Sequence, residues 1–164
     1  MALPTLNTPK YQLELPSTKE VITYRPFLVK EEKILLIAQE TKDPKQMMMA
    51  MRDIISACTF EAVKTSAITG FDLEYIFLKL RSKSVGENAD IKLQCTKCEE
   101  YNPVSINLDQ IIVDVPENAN APIMLTDSIG ITLKYVTAEK MEKITALIDT
   151  NQMAVINELI INSI

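Results

Sequence analysis

The stretch Thr69-Gly-Phe-Asp-Leu-Glu-Tyr-Ile-Phe-Leu-Lys-Leu-Arg-Ser-Lys-Ser-Val-Gly-Glu87 decides the fold. Thr69 followed three residues later by Asp72 forms a capping-box-like start, with a hydroxyl for a free amide and a carboxylate near the positive helix end. Leu73, Ile76, Phe77 and Leu80 then recur at spacings of three and four, and Phe71, Tyr75 and Leu78 add a second apolar stripe. A helix of this kind must be covered on two sides. Asp72, Glu74, Lys79 and Arg81 are left for a narrow wet strip, and Gly86 is a suitable stop.

Upstream, Tyr11, Leu13 and Leu15 alternate with Gln12 and Glu14, and Val21–Arg25 follows a Pro16-Ser-Thr-Lys19 turn. That two-residue period predicts a β-hairpin, structural or with an edge free to pair with another chain. The Pro-containing residues 1–9 read as an extended tail. Phe27, Ile34, Leu35, Ile37 and Ala38 predict a helix whose Lys30-Glu-Glu-Lys33 run faces water as a solvated, paired surface rather than an acid-base site. Asp43-Pro44 is a cap followed by proline at the first helical position, so a second helix starts there. Its inward residues are Met47, Met51, Ile54, Ile55 and Cys58, with Met48 and Met49 partly off that face. Unbranched thioethers fill irregular core gaps and also suit partner surfaces, so Met48 and Met49 are candidate partner-binding residues. Phe60–Ile68 reads as either a short helix or an irregular bridge.

Beyond Gly86 the period changes from near four to two. The expected organisation is a 1–86 hairpin-plus-helical lobe and an 87–164 hairpin-rich lobe with C-terminal helices, or one compact unit containing both. Ile91–Leu108 places strands around a Cys95-Thr-Lys-Cys98 turn that resembles a zinc-ribbon knuckle. Two thiolates at the spacing of Cys95 and Cys98 can hold one side of a tetrahedral zinc, a half-site. Completing it takes Cys58, carboxylates such as Glu99 or Glu100, or a second chain; reduced thiols on a structural turn and redox chemistry are the other readings. Ile111, Val113 and Val115 continue the alternation, and Ile123–Thr126 with Ile129–Tyr135 predicts another hairpin. Thr137 caps a helix bearing Met141, Ile144, Leu147 and Ile148, and a last helix from Gln152 carries Met153, Ile156, Leu159, Ile160 and Ile161. The apolar C-terminal end, Ile160 and Ile161 above all, is a second candidate contact surface.

Taken together these elements predict an α+β fold: an N-terminal hairpin, a core of three to four helices, a zinc-ribbon-like hairpin region and C-terminal helices. Composition narrows the chemistry further. The 164 residues contain no histidine, which removes the commonest general base and the imidazole metal ligands, and only three glycines, at 70, 86 and 130, too scattered for a phosphate-cradling loop. No catalytic residues are assigned; Asp72 and Glu74 point in different directions on a helix, and Cys58 has no base to activate it. With 22 acidic against 17 basic residues and a net charge of −5, nucleic acid is not an expected ligand. No apolar run reaches the length of a membrane span, the start lacks a secretory pattern, and three cysteines fit a reducing cytoplasm.

The Phe71–Glu87 string, the Tyr24-Arg-Pro-Phe27 and Lys30-Glu-Glu-Lys33 blocks and the single Cys95/Cys98 pair occur in an order that resembles the baseplate hub assembly proteins of T-even-type contractile bacteriophages. The resemblance covers most of the chain. It implies a non-enzymatic role in building the central hub of the tail baseplate, as an assembly chaperone or minor subunit. Its partners would be hub and tail proteins, and an oligomer is compatible with it. The expected places are the host cytoplasm during assembly and the virion tail. No cofactor is implied, zinc at the cysteine pair apart. A nucleic-acid-binding or regulatory zinc-ribbon-like module is the alternative.

Overall fold

The computed structural model describes residues 8–116, 119, 121–145 and 152–164. In chain order they form β1 (Tyr11–Glu14), β2 (Val21–Tyr24), α1 (Val29–Thr41), α2 (Pro44–Cys58), α3 (Gly70–Ser84), β3 (Asn88–Gln94), β4 (Tyr101–Asn107), β5 (Ile123–Met124), β6 (Gly130–Ile131), α4 (Ala138–Thr145) and α5 (Gln152–Ser163). The fold is α+β. Each of its three two-stranded sheets is an antiparallel hairpin of consecutive strands.

Local chemistry sets most helix ends. The Thr69 hydroxyl accepts the Asp72 amide at 3.2 Å, and the Asp43 carboxylate accepts the Lys45 amide at 2.9 Å ahead of Pro44. At the far end of α3, Val85 closes the helix and Gly86 takes φ 146°, a left-handed conformation that glycine adopts without the Cβ clash of other residues. Phe60–Ile68 is an irregular bridge: Phe60 and Glu61 have φ of 57° and 59°, which breaks the helix, while Val63 drops into the core.

The core forms where β1–β2 lies over α2 and α3. Leu13, Leu15, Ile22 and Tyr24 meet Ile54, Ile55, Cys58, Leu73, Ile76 and Leu80, with Ala138 of α4 closing the cluster. Fully burying such a side chain contributes on the order of 2 kcal/mol. Tyr11 tilts against Tyr24 with ring centroids 5.6 Å apart.

Several expectations need correction. Asp72 and Lys79 are buried rather than wet. Helix α1 keeps Leu35 and Ala38 inward and Lys30, Glu32 and Lys33 in water as expected, but Glu31 is buried, whereas Ile34 and Ile37, expected inward, are exposed together with Leu36. The reason is a charge-assisted pair. Arg25 Nη2 reaches Glu31 Oε1 at 2.9 Å, and Glu31 Oε2 accepts the Leu28 amide at 2.8 Å, so the carboxylate both caps the helix and fixes its inner side. Residues Ile111, Val113 and Val115 do not form a strand; all three are half-buried, between exposed Ile112, Asp114 and Pro116, without a ladder partner. The hairpin expected over 123–135 keeps its place but shrinks to two residues a side. Ile144 is buried as expected, while Leu147 and Ile148 lie outside the described residues. No helix among the described residues is long and apolar enough to cross a membrane.

Candidate functional site

The buried ionisable groups are committed to holding segments together. Asp72 Oδ1 accepts the Ser17 amide at 3.1 Å, and Oδ2 accepts the Thr69 hydroxyl at 2.7 Å together with the Ser17 hydroxyl. One carboxylate thereby joins the start of α3 to the β1–β2 turn. Seven residues on, Lys79 Nζ donates to the carbonyls of Leu108 (3.1 Å), Asp109 (2.8 Å) and Ile111 (2.9 Å), clasping the segment that leaves β4. Burial lowers the Lys79 pKa, opposed by the Asp109 charge. Asp109 itself bonds Lys83 and Ser82, whose hydrogen bonds hold its carboxyl below the usual range. Glu74, set aside with Asp72 as a catalytic pair, is exposed.

The body also leaves large apolar side chains outside. Val29, Ile34, Leu36 and Ile37 stand off α1, and α5 buries no residue at all, with Ile156, Ile160 and Ile161 about half exposed or more. The two methionines singled out earlier differ. Met48 packs against the core, while Met49 is 64% exposed, because one helical step of 100° carries it past the contact line. Met48 also lines a cleft of about 410 Å³ between α2, α3 and α4, with Pro44, Arg52, Leu73, Ala138 and Met141. At its rim Arg52 Nη2 pairs with Glu142 at 3.1 Å, and the buried Nε has no hydrogen-bond partner. The α1 face was missed by sequence reasoning, although the unbroken run Ile34-Leu-Leu-Ile37 signalled it: four consecutive apolar residues span more of a helix than one neighbour covers.

The cysteine pair sits at the tip of β3–β4. The register pairs Asn88 with Asn107 through Gln94 with Tyr101, and the ladder continues as Cys95 donates its amide to Glu100 at 2.9 Å. Glu99 returns its amide to the Cys95 carbonyl at 3.0 Å and takes φ 60°. The amides of Cys98 and Lys97 and the Cys98 thiol hydrogen-bond the Cys95 sulfur, which lowers its pKa. By contrast burial pushes the Cys58 thiol up to about 11, and Cys58 lies wholly inside the core. Among the described residues no group of three or more His, Cys, Asp or Glu side chains forms a metal cage. Cys95 and Cys98 therefore supply at most half a set from this chain's described residues.

Buried charges spent on internal bonds, beside helices that turn apolar side chains outward, define a small α+β protein with uncovered apolar helix faces. A family model described as T4 bacteriophage base plate protein matches residues 8–164, and the chain belongs to that family. No curated protein and no solved structure matches it.

Proposed function

We propose that the chain is a non-catalytic assembly chaperone or minor subunit of the central hub of the phage baseplate, engaging hub and tail proteins in the host cytoplasm as the baseplate is built. The observation that carries this reading is α5, a helix of a baseplate-family protein with no buried residue and with Ile160 and Ile161 51% and 66% exposed. Exposed apolar surface of this kind marks a contact site. The consumption of Glu31, Asp72 and Lys79 in internal bonds supports a role without catalysis.

A tagged chain expressed during infection should capture hub and tail proteins. Ile160→Glu with Ile161→Glu should lower that capture at least tenfold, and Met49→Glu should lower it less, all with unchanged helical circular dichroism. Capture that is indifferent to these changes would remove α5 and Met49 from the interface, and capture of no tail protein would end the hub reading. Mass spectrometry of purified particles separates a subunit that stays from a chaperone that leaves. Retention of nucleic acid at low salt would favour the zinc-ribbon-like alternative instead.

A further inference from the structure

The β3–β4 hairpin carries two incomplete features that face the same way. In an antiparallel ladder, directly opposed residues share a face. The pairs Ala89–Ile106, Ile91–Val104 and Leu93–Asn102 put a nearly continuous apolar row on one face, and Asn88–Asn107, Asp90–Ser105 and Lys92–Pro103 put a polar row on the other. Nothing in the chain's described residues covers the distal part of the apolar row: Ile91, Leu93 and Val104 are 37%, 52% and 36% exposed. Neither strand packs extensively on another element. A lone two-stranded hairpin is marginal in water, so this one gains from a cover.

Cys95 continues the odd-numbered row of Ala89, Ile91 and Leu93, at the end of the same face. The turn holds both free thiols at the hairpin tip, Cys95 half-buried and Cys98 exposed, with a left-handed Glu99 at the exit. A thiolate-preferring divalent ion needs four such ligands at about 2.3 Å, and one tip offers two. A chain that brings the missing pair from an identical tip also brings an identical apolar row. Mixed charge at the tip, Lys97 beside Glu99 and Glu100, is complementary to itself under a two-fold axis.

We propose that Cys95 and Cys98 of two copies of this chain bind one zinc ion between them, closing a two-fold dimer in which the β3–β4 apolar faces cover each other. Four thiols give up their protons to solvent on binding, leaving a zinc tetrathiolate with no change in oxidation state. The site stands apart from α5 and from the hub reading, and it is tested on the isolated full-length chain.

The chain, purified without chelator and supplied with zinc chloride, is to be assayed for metal by plasma mass spectrometry and for mass by sedimentation velocity. One zinc per two chains in a dimer is expected, with both lost on addition of a strong chelator. Cobalt in place of zinc should show the ligand-field bands of a tetrathiolate. Cys95→Ser and Cys98→Ser should each abolish metal and dimer, and Leu93→Asp should weaken zinc-dependent dimerisation at least tenfold. These sites are at an exposed tip and face, so circular dichroism should report an unchanged fold in all three variants. A zinc-loaded monomer, a dimer that survives chelation, cobalt bands of a mixed-ligand site, or no retained metal at all would overturn the proposal.

Discussion

The helical body around α3 and the β3–β4 arm are opposite solutions to the same accounting of polar and apolar groups. In the body, Leu73, Ile76 and Leu80 are almost wholly buried, and the charges buried beside them find partners. In the arm, the ladder satisfies the backbone while Leu93 and Tyr101 remain more than half exposed. The body has a buried apolar cluster around α3 although α1 keeps an exposed apolar side; the arm has backbone order without a core. The difference lies in what each region brings opposite its apolar side chains: helices and a hairpin in the body, nothing among the described residues in the distal arm.

The largest effect that would break the comparison is expected for equal substitutions in the two regions. Leu73→Asp should unfold the chain, because an unpaired buried carboxylate costs several kcal/mol, about the stability of a whole domain. Leu93→Asp should leave the thermal unfolding midpoint of the zinc-free chain within about 2 °C of the parent, as surface changes usually cost under ~0.5 kcal/mol. Equal damage at both sites, read by thermal melts, would erase the distinction.

An intermediate effect should appear at the root of the arm. Lys79→Met keeps the buried stem but removes the ammonium that three carbonyls share, a loss of about 2–3 kcal/mol by the usual worth of charged hydrogen bonds. Hydrogen exchange should quicken over 87–111 more than in α2. Uniform acceleration would make Lys79 part of the body's stability instead of the arm's clasp.

The smallest effect is a pH dependence confined to the body. Burial alone would raise the Glu31 pKa, but hydrogen bonds from Arg25 and the Leu28 amide, with the Arg25 and Lys30 charges, bring it below its ordinary 4.5. Since the folded-state value is the lower one, this contribution is fully present above about pH 4.5 and is lost as pH falls through the folded pKa. Denaturant titrations from neutral to acid pH should therefore show the parent and Glu31→Gln converging in stability. A constant gap would mean that the carboxylate's charge is irrelevant to the body.

Legibility in the sequence follows the range of the interaction. The Thr69 and Asp43 caps, the β1–β2 alternation and the turn at Cys95–Cys98 were readable because each needs partners only a few residues away. The candidate residues were located less evenly. Ile160, Ile161 and Met49 are exposed, whereas Met48 lines a cleft wall and packs against the core. The burial of Glu31 was illegible from the charge run of α1, because that one carboxylate is drawn inward by Arg25 on the preceding strand's exit.

By itself the amino-acid order determined the class of fold, the boundaries of the main helices and the pairing of adjacent strands, since capping and periodicity are local and repeat at fixed spacing. Tertiary structure alone decided which charges went inside. Ser17 and Asp72 are 55 positions apart and Lys79 and Leu108 are 29 apart, and whether such a group is a solvated surface charge or an internal clasp depends on what the chain brings opposite it.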